Sequence, residues 1–447
     1  MKNNPPPASS TEFWLTNPDK SVLFQKQNDG QTITASTFAT IEVDETQTFQ
    51  TVEGFGCALT GGSATLLHHM DDASRDALLR ELFATDGNNI GISYLRISIG
   101  ASDLSDHVFS YNDLSTGQTD TTMAHFSLDP ERTDLIPVLK QILAINPDIK
   151  ILGSPWSAPT WMKTNNNSIG GSLKPQYYSA YAQYFVKYIQ GMKAEGIRID
   201  AITIQNEPLY GGNNPSMLMS AAEQATFIKN NLGPAFAANT IDTKIIIYDH
   251  NADRTDYPIA ILNDLNARKY VDGSAFHLYG GSITDLSTVH NAHPDKNLYF
   301  TEQWIGAPGN FASNLSWHIK TLTIGGTRNW CRTVLEWNLA SDLNLQPHTN
   351  GGCTQCLGAI TIVGSAVIRN PAYYIIAHAS KFVRPGSVRI ASTIPDGLQN
   401  VAFKTPEGKN VLIVLNDNQI PQAFKILTGT KTITSYLSGG AVGTYVW

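Results

Sequence analysis

The sequence contains few charged residues, since Asp, Glu, Lys and Arg together make up 15% of its 447 positions. The balance is mildly acidic, with a formal net charge of −7 at pH 7. Nucleic-acid-binding domains usually present a basic surface, so we expect no nucleic-acid partner. Low charge combined with 17 Tyr and 8 Trp residues instead favours a neutral, polar ligand such as a carbohydrate.

Long apolar runs are also missing. No segment reaches the roughly 18–20 apolar residues needed to cross a bilayer, so we expect no membrane span. The first ten residues, MKNNPPPASS, lack the apolar core of a signal peptide and are typical of a flexible linker. Either the protein is cytoplasmic, or a signal peptide or lipid anchor preceded this segment. The linker-like composition favours the second alternative, a periplasmic, surface-exposed or secreted protein.

Cysteine is scarce, with four residues in the chain. Cys57 and Cys331 lie in strand-like runs and are expected in the core. Cys353 and Cys356 form a single C-x-x-C in the segment GGCTQC, which without a second pair is weak evidence for zinc. A local disulfide or two free thiols is the expectation. Because the sequence also lacks H-E-x-x-H, G-x-G-x-x-G and P-loop motifs, we expect neither a metal nor a cofactor.

What the sequence does contain is a regular alternation of strands and helices, with enough hydrophobic residues (42%) for a large core. Amphipathic segments such as 74–83, 132–145 and 176–196 lie between short apolar runs. The runs are eight in number, at 51–59, 92–100, 150–156, 201–208, 244–251, 274–280, 298–304 and 332–339. This alternation predicts an α/β fold, a closed parallel (β/α)8 TIM barrel. Gly54 and Gly56 weaken the prediction for the first strand.

Both ends of the chain show a different pattern, of short strands separated by turn residues. The C-terminal part is only about 60 residues long, which is small for an independent domain. We therefore expect both ends to build one β-sandwich beside the barrel. The predicted organisation is a linker at 1–10, N-terminal sandwich strands at 11–48, the catalytic barrel at 49–384 and the C-terminal β-sandwich at 385–447. Nothing in the sequence specifies an oligomeric state.

Polar and aromatic residues follow the predicted barrel strands at their C-terminal ends, where barrel enzymes place their chemistry. Aromatic faces stack on sugar rings and amides hydrogen-bond hydroxyl groups. With several carboxylates and no cofactor motif, this rim predicts hydrolysis of a glycosidic bond by two carboxylates. The rim residues are Arg96, Asp103, Trp156, Trp161, Asn206, Glu207, Asp249, His250, Asn251, His277, Tyr279, Glu302, Gln303, Trp304, Glu336, Trp337 and Asn338.

Glu207 and Glu302 are the predicted catalytic pair, because strands four and seven lie on roughly opposite sides of an eight-stranded ring. A separation of about 5–5.5 Å between them would make the reaction retaining. Glu302 suits the nucleophile, and Arg96 would keep it ionised. Glu207 suits the acid, with a pKa raised by burial and by the charge of Glu302. Asn206 is placed to bind the sugar 2-hydroxyl.

Each candidate also has a structural alternative. A lone Glu at a strand end usually caps a helix or forms an ion pair, so the two glutamates are convincing only together. Arg96 can equally buttress the barrel interior, and one of Trp156 and Trp161 is expected to be core packing. His277 taken alone is expected to be a structural histidine. Glu336 ranks third as a catalytic candidate.

The sequence resembles glycoside hydrolase family 30, a clan A family of retaining β-glycosidases. The resemblance is carried by seven blocks that occur in order and cover most of residues 50–350. They are EGFGCALTGGSA, YLRISIGASDLS, GSPWSAPTWMKTN, TIQNEP, FHLYGG, YFTEQW and EWNLASD. The strand-rich ends of the chain fit the family's side β-sandwich.

The resemblance implies specific roles for residues of these blocks. The acid/base would be Glu207 of QNEP and the nucleophile Glu302 of TEQ. His277 matches a position beside the cleft, and it completes the predicted substrate-binding set. The other members of that set are Arg96, Asp103, Trp156, Asn206, Tyr279 and Trp337. No metal ligand is implied.

Two branches of the family compete for the substrate, endo-β-1,6-glucanases and glucosylceramidases. The segments NEPLYGGNNPSMLM and DHNADRTDYPIAILND are more similar to bacterial β-1,6-glucanases, and Leu278 replaces the Trp typical of lysosomal glucosylceramidases. The expected function is therefore a retaining β-glucanase acting on β-1,6-linked glucose, with glucosylceramidase as the alternative. A sugar-binding protein without catalysis is an alternative of another class, against which the intact Glu pair argues.

Overall fold

A computed structural model describes residues 11–27 and 38–447; the predicted linker at 1–10 lies outside these ranges. Eight strands form a closed barrel in which each strand pairs in parallel with the next and the eighth pairs with the first. In chain order the barrel strands are Gly54–Ala58, Tyr94–Ser98, Lys150–Ser154, Ala201–Thr203, Lys244–Asn251, Val271–His277, Asn297–Glu302 and Cys331–Asn338. The predicted (β/α)8 barrel is confirmed, and every strand overlaps its predicted run.

The glycines of the first barrel strand serve close packing. All five residues of this strand are buried. A side chain at Gly56 would collide with the main-chain oxygen of Tyr94 on the second strand. Glycine is thus needed where two backbones approach closely. This close approach explains why glycine, which is unfavourable within a strand, occurs in the first barrel strand.

Helices surround the barrel and bury one apolar face against it. The helix Tyr178–Ala194, for example, buries Tyr181, Phe185, Tyr188 and Ile189, as their spacing predicts. The α-helices are Gly61–His68, Asp72–Phe83, Leu135–Ile145, Tyr178–Ala194, Ala221–Phe227, Gly233–Ala238, Asp256–Asn263, Leu265–Arg268, Leu286–Ala292, Phe311–His318 and Pro371–Ser380. Short 3-10 helices are Asp129–Glu131, Thr160–Met162, Pro175–Tyr177 and Ile283–Asp285, and π-helical turns are Ile228–Leu232 and Ile319–Gly326.

Both ends of the chain join one nine-stranded sheet, which confirms the predicted side sandwich. Strand Glu12–Thr16 pairs with the C-terminal strand Val442–Val446, and Ala39–Thr51 lies between Val388–Ser392 and Gln422–Thr428. The remaining strands of this sheet are Gln25–Gln27, Leu398–Lys404, Asn410–Asn416 and Lys431–Leu437. Two small sheets near the barrel mouth comprise Ile305–Gly306 with Cys356–Leu357, and Ala340–Ser341 with Ile360–Val363 and Ala366–Arg369.

The sandwich is joined to the barrel by a shared apolar core. Strand Asn410–Asn416 is buried along its whole length. Because side chains alternate along a strand, Leu412 and Val414 lie in the core of the sandwich, whereas Val411 and Ile413 lie in the large cluster shared with the barrel. Among residues 11–27 and 38–447, no helix combines the length and apolar character of a bilayer-spanning segment.

The interior of the barrel changes from apolar to polar towards the C-terminal ends of its strands. One buried cluster fills the barrel with a side chain from each of seven strands, namely Tyr94, Leu152, Ala201, Ile246, Ala275, Tyr299 and Leu335. Two residues further along four of these strands stand Arg96, Ser154, Thr203 and His277. The two-residue period of a strand therefore places a polar layer directly above the apolar one.

Candidate active site

Arg96 lies at the centre of this polar layer and is fully buried. Its Nη1 donates to Oε2 of Glu302 at 2.6 Å, and its Nη2 donates to Asn206 Oδ1 at 2.7 Å and to Asp249 Oδ2 at 2.8 Å. Burial opposes the charge of the guanidinium, but Asp249 and Glu302 hold its pKa above the usual value. Arg96 thus supports the barrel interior and also contacts the predicted nucleophile. Its position is compatible with both roles that the sequence suggests, a structural one and one at Glu302.

Asp249 is the anion that fixes Arg96; it is one of the rim residues but not a member of the predicted catalytic and substrate-binding set. Its carboxylate accepts hydrogen bonds from the hydroxyls of Ser154, Thr203 and Thr301 at 2.7–2.8 Å. Burial opposes its ionisation, but the charge of Arg96, the hydrogen bond and charge of His277, and the hydroxyl of Thr301 hold the pKa of Asp249 far below the usual value. The hydroxyl residues lie at or near the C-terminal ends of the third, fourth and seventh barrel strands, and all three side chains reach the same interior carboxylate.

His277 connects Asp249 to both predicted catalytic residues. Its Nε2 lies 3.1 Å from Asp249 Oδ1, and its Nδ1 lies 3.2 Å from Glu207 Oε1 and 3.8 Å from Glu302 Oε1. Burial opposes protonation, but the surrounding carboxylates Glu302, Asp249 and Glu207 raise the pKa of His277 to about 9. The imidazole is therefore a buried cation within the site rather than a histidine satisfied elsewhere in the core.

Glu207 and Glu302 are brought together, as the strand positions predict. Oxygen atoms of the two carboxylates and a ring nitrogen of His277 all lie within 4.8 Å of one another. This spacing resembles the roughly 5–5.5 Å between carboxyl groups in retaining glycosidases and is shorter than the roughly 6.5–9.5 Å of inverting ones. Only 8% of Glu207 and 6% of Glu302 is exposed, so both carboxylates interact in a medium of low dielectric constant.

The backbone at Glu207 is strained in a way that aims its side chain. Glu207 has a positive φ of 45°, a left-handed conformation that is uncommon for residues other than glycine. Its main-chain N–H donates to the main-chain oxygen of Asp249 at 3.0 Å, and the next residue, Pro208, has no N–H to donate. The fourth strand ends at Thr203, and Glu207 lies in the segment that follows it. Such strain is concentrated at functional sites, and here it directs the carboxylate into the barrel mouth.

The pKa values of the two glutamates are ordered differently from the sequence-based expectation. Burial raises the pKa of Glu302, although His277 and Arg96 pull in the other direction. Burial acts on Glu207 in the same way, but the hydrogen bond and charge of His277 hold the pKa of Glu207 below the usual value. The expectation of a raised pKa at Glu207 was wrong for the free site because it omitted His277. The two carboxyls titrate as a coupled pair.

The same three side chains have the spacing of a metal site, but their surroundings do not suit a cation. Both ring nitrogens of His277 already contact carboxylates, and Arg96 contacts Glu302. The positive charges of Arg96 and protonated His277 already compensate these carboxylates, as a metal ion would. Metal ligation requires neutral imidazole, which the neighbouring carboxylates disfavour.

Aromatic residues form the wall of the site beside Arg96. The rings of Trp156 and Trp337 stack with centroids 5.4 Å apart, and the guanidinium lies 4.8 Å from the Trp156 centroid. Tyr279 is partly exposed, and its hydroxyl donates to Glu302 Oε1 at 2.9 Å. Trp161 instead lies in the main core, where its Nε1 donates to Asn112. One of the two tryptophans is therefore core packing, as expected, and it is Trp161.

Asp103 completes the predicted set and lies in a buried position close to the catalytic pair. Burial and the charge of Glu302 raise the pKa of Asp103 to about 7. Its Oδ2 accepts the main-chain N–H of Cys353 at 3.3 Å. Cys353 and Cys356 are joined in a disulfide, whereas Cys57 and Cys331 are free and buried. The loop that carries the disulfide therefore contacts the site, a contact that the C-x-x-C spacing does not predict.

Glu336 does not join the pair, although it ends a barrel strand. Both of its oxygens lie 2.9 Å from Nδ1 of His318 on an outer helix. His250, a rim residue outside the predicted site set, lies beside the acid, with its Nε2 3.9 Å from Glu207 Oε1. The structure thus brings all nine predicted site residues together in one region. Glu336, the third-ranked catalytic candidate, contacts His318 instead of the catalytic pair.

The comparisons with known proteins agree with this geometry. Residues 52–383 match the glycosyl hydrolase family 30 TIM-barrel domain, and residues 386–445 match the family 30 β-sandwich domain. A solved structure of an endo-β1,6-glucanase has a TM-score of 0.91 and 37% sequence identity, with 98% of this chain and 99% of that chain covered.

Two curated relatives represent both branches of the family. The chain is 37% identical over 425 residues to the endo-1,6-β-D-glucanase of Aspergillus fumigatus, which covers 89% of this chain and 85% of the fungal protein. It is 30% identical over 428 residues to the lysosomal acid glucosylceramidase of Mus musculus, with 89% of this chain and 81% of the mouse protein covered. The chain belongs to glycoside hydrolase family 30 and is a glycoside hydrolase.

Proposed function

We propose that this protein is an endo-β-1,6-glucanase that acts with retention of anomeric configuration through Glu207 and Glu302. The observation that supports the mechanism best is the close approach of these two buried carboxylates, within 4.8 Å. The linkage is supported by the similarity to endo-1,6-β-glucanases over most of both chains. Neutral glucose units also suit a site built from tryptophan, amide and carboxylate groups.

In the first step, Glu302 attacks the anomeric carbon and forms a glycosyl ester with the enzyme. Glu207 donates a proton to the departing oxygen, which in a β-1,6-glucan is O6 of the next glucose unit. Arg96 and Tyr279 each donate to one oxygen of Glu302. These charge-assisted contacts hold the carboxylate in one orientation and stabilise its negative charge before the attack.

The location of one proton decides which glutamate attacks. In the working pair the two carboxyls share a single proton. Because both oxygens of Glu302 accept hydrogen bonds, we expect this proton on Glu207 when a sugar fills the cleft. His277 lies beside Oε1 of Glu207, which leaves Oε2 for the proton. After the transfer, the positive charge of His277 stabilises the Glu207 carboxylate that has formed.

In the second step, Glu207 removes a proton from water, which attacks the glycosyl ester and releases the sugar. Asn206 supports both steps. Its Oδ1 accepts a hydrogen bond from Arg96 at 2.7 Å, so its amide N–H groups are the part available to a ligand. A donor at this place suits the sugar 2-hydroxyl, whose hydrogen bond strengthens in the transition state.

The remaining predicted residues would bind the glucose unit at the cleavage point. Trp156 and Trp337 offer ring surface to the sugar, and Tyr279 forms a partly exposed edge of the pocket. The carboxylate of Asp103 can accept hydrogen bonds from sugar hydroxyl groups. Arg96 and His277 act on the substrate through the carboxylates that they contact. Of the seven predicted substrate-binding residues, all except Tyr279 are buried, which favours a fixed and largely dehydrated pocket.

Incubation with a linear β-1,6-glucan tests the proposal. We expect short β-1,6-linked oligosaccharides, and proton NMR during the first minutes should show the β-anomer as the initial product. Release of glucose from glucosylceramide without cleavage of the glucan would support the alternative activity. Oligosaccharide binding by calorimetry with no turnover would support a non-catalytic binding protein and contradict the proposal.

We also infer an extracytoplasmic location, whether periplasmic, surface-exposed or secreted. A polysaccharide substrate does not cross membranes, and disulfides such as Cys353–Cys356 persist mainly in oxidising compartments. Fractionation of cells that express the full-length gene product, with activity on β-1,6-glucan as the readout, tests this inference. Activity confined to the cytoplasmic fraction would contradict it.

A further inference from the structure

The segment 349–357, which we name the cystine loop, follows the eighth barrel strand and returns to the mouth of the barrel. It is closed by the disulfide between Cys353 and Cys356. Glycosidic hydrolysis by two carboxylates requires no disulfide, so the mechanism above does not account for it. Its contacts with the site suggest a role beyond closing a surface loop.

The cystine loop holds Asp103 by its main chain and by its side chain. The N–H of Thr349 donates to the main-chain oxygen of Asp103 at 2.9 Å, and the N–H of Cys353 donates to Oδ2 at 3.3 Å. Between them, Gly352 passes so close to Asp103 that a side chain there would collide with its main-chain oxygen. The position of the Asp103 carboxylate therefore depends directly on the path of this loop.

The cystine loop also supports the aromatic wall. Cys356 is buried in one cluster with Leu104, Trp156 and Trp337, and Cys353 packs against the same cluster. A hydrophobic contact of this kind fixes the depth at which the stacked tryptophans lie. Loss of the disulfide would loosen one side of the pocket around the glucose unit.

A third contact reaches the segment that follows the nucleophile. Strand Cys356–Leu357 pairs with Ile305–Gly306, and the N–H of Ala307 donates to the main-chain oxygen of Gln355 at 2.8 Å. Ile305 is only three positions after Glu302. The disulfide is thus placed where it can restrain three parts of the site at once.

The disulfide closes a very short ring, because its cysteines are three positions apart. In the chain-entropy view, stabilisation of the whole fold by a disulfide grows with the length of the closed loop. A short ring contributes least to global stability, but it restricts the local backbone. This matters next to Gly351 and Gly352, because glycine otherwise gives the chain wide conformational freedom.

We propose that the Cys353–Cys356 disulfide is a positioning element of the sugar-binding site, which fixes the Asp103 carboxylate and the Trp156–Trp337 wall for the glucose unit that is cleaved. The proposal rests on the proposed function. The disulfide touches none of the reacting atoms and acts through the residues that it holds. Its loss should therefore weaken substrate binding more than it slows the chemical step.

The test compares the oxidised protein, the same protein after reduction and the double variant Cys353→Ser/Cys356→Ser. A trialkylphosphine and water convert the disulfide into two thiols and the phosphine oxide, which balances electrons and protons. We expect KM for β-1,6-glucan oligosaccharides to rise roughly tenfold or more, as for loss of a hydrogen bond to a charged group. We expect kcat to change less and the melting temperature to stay within a few degrees.

The double variant is the matched control for the reagent. Because it has no disulfide, the phosphine should leave its kinetics unchanged, and Cys57 and Cys331 are buried thiols that phosphine does not alter. The variant Asp103→Asn tests the route of the effect. If the disulfide acts through Asp103, reduction should raise KM much less in Asp103→Asn than in the unaltered protein, as coupled sites require.

The pH profile gives a readout that a purely structural disulfide would not move. Burial and the charges of Glu302 and Glu207 raise the pKa of Asp103, whereas the Cys353 amide lowers it. Loss of that amide should raise the pKa further, so that protonation of Asp103 weakens binding from a higher pH. The pH at which KM begins to rise on acidification should therefore move upwards after reduction.

An unchanged KM and pH profile after complete reduction, verified by titration of two new thiols, would overturn the proposal. A fall in melting temperature that accounts for the loss of activity would also overturn it. Failure of the proposed function is distinguishable, because the oxidised protein would then show no turnover of β-1,6-glucan at the outset. In that case oligosaccharide affinity by calorimetry, before and after reduction, replaces KM as the measure.

Discussion

Arg96 and Glu302 form a buried ion pair, with Nη1 of the arginine 2.6 Å from Oε2 of the glutamate. The arginine comes from the second barrel strand and the glutamate ends the seventh, so the pair spans the barrel mouth. The same guanidinium contacts Asp249, whose side chain is fully buried. One cation therefore compensates two buried carboxylates, and the geometry of the nucleophile depends on a residue that need not touch the reacting carbon.

Replacement of Arg96 should cost both stability and activity. Arg96→Gln leaves Asp249 and Glu302 buried with less compensation, and such changes typically destabilise proteins by about 3–5 kcal/mol. Urea unfolding measures the stability, and hydrolysis of an aryl β-glucoside measures the activity. The control is Arg80→Gln, which removes an exposed ion pair with Asp76 and should cost less than about 1 kcal/mol. Equal effects of the two variants would contradict the role assigned to Arg96.

Replacement of Glu207 should act selectively on substrates with poor leaving groups. In Glu207→Ala the departing oxygen receives no proton, and general acid catalysis typically contributes about 10²–10⁴-fold. We expect a loss of this size on β-1,6-glucan and a much smaller loss of the first step on an activated aryl β-glucoside. Added azide should replace water in the second step and give the β-glucosyl azide. Equal losses on both substrates would contradict the assignment of Glu207 as the acid.

Stability should depend on the titration of His277. Burial opposes its charge, but its carboxylate neighbours raise the pKa of His277 from 6.5 to about 9. Because the folded protein binds the proton more tightly, the contribution to stability is fully present below pH 6.5 and is lost as the pH rises through about 9. Its size is roughly 3 kcal/mol at most.

Chemical unfolding of the unaltered protein and of His277→Gln at several pH values between 6 and 10 measures this contribution. Asp103, Glu131 and Lys163 have pKa values shifted to about 7 by burial, but they titrate in both proteins. The difference between the two stability curves therefore reports His277 together with Glu207 and Glu302, whose pKa values it shifts. A difference that is independent of pH would contradict the buried imidazolium.

The β-sandwich should be required for folding of the barrel. Val411, Ile413 and Val446 lie in the apolar cluster shared by the two parts, so a truncation at residue 385 would expose a large apolar surface to water. The strand Glu12–Thr16 would also lose its partner Val442–Val446. We expect the truncated chain in the insoluble fraction after expression. A soluble, active barrel of residues 11–384 would contradict this account.

Local sequence signals predict the fold well because barrel strands are apolar and bounded by turns. Even the glycine-broken first strand was found, since the remaining seven strands require it to close the ring. The positions of Glu207 and Glu302 follow from the same logic, because parallel strands place their C-terminal ends at one face. Pattern and topology together were sufficient for this part of the site.

The electrostatic arrangement could not be predicted in this way. Asp249 is identified only when hydroxyls from three other strands meet at its carboxylate. The pKa order of the glutamates depends on which one contacts His277. The Nδ1 atom of His277 lies 3.2 Å from Glu207 Oε1 and 3.8 Å from Glu302 Oε1. Likewise, the C-x-x-C spacing does not predict that the main-chain N–H of Cys353 donates to Asp103. Distances between residues far apart in sequence decided these features.

The central claim is that Glu302 is the nucleophile of a retaining hydrolase. A 2-deoxy-2-fluoro-β-glucoside with an activated leaving group should form a long-lived ester, because fluorine slows both steps and the leaving group rescues only the first. Intact-mass analysis followed by peptide mapping should show one sugar per chain, attached to Glu302 and absent from Glu302→Gln. A label on another residue, or an unlabelled enzyme that releases the α-anomer from a β-glucan, would contradict the account.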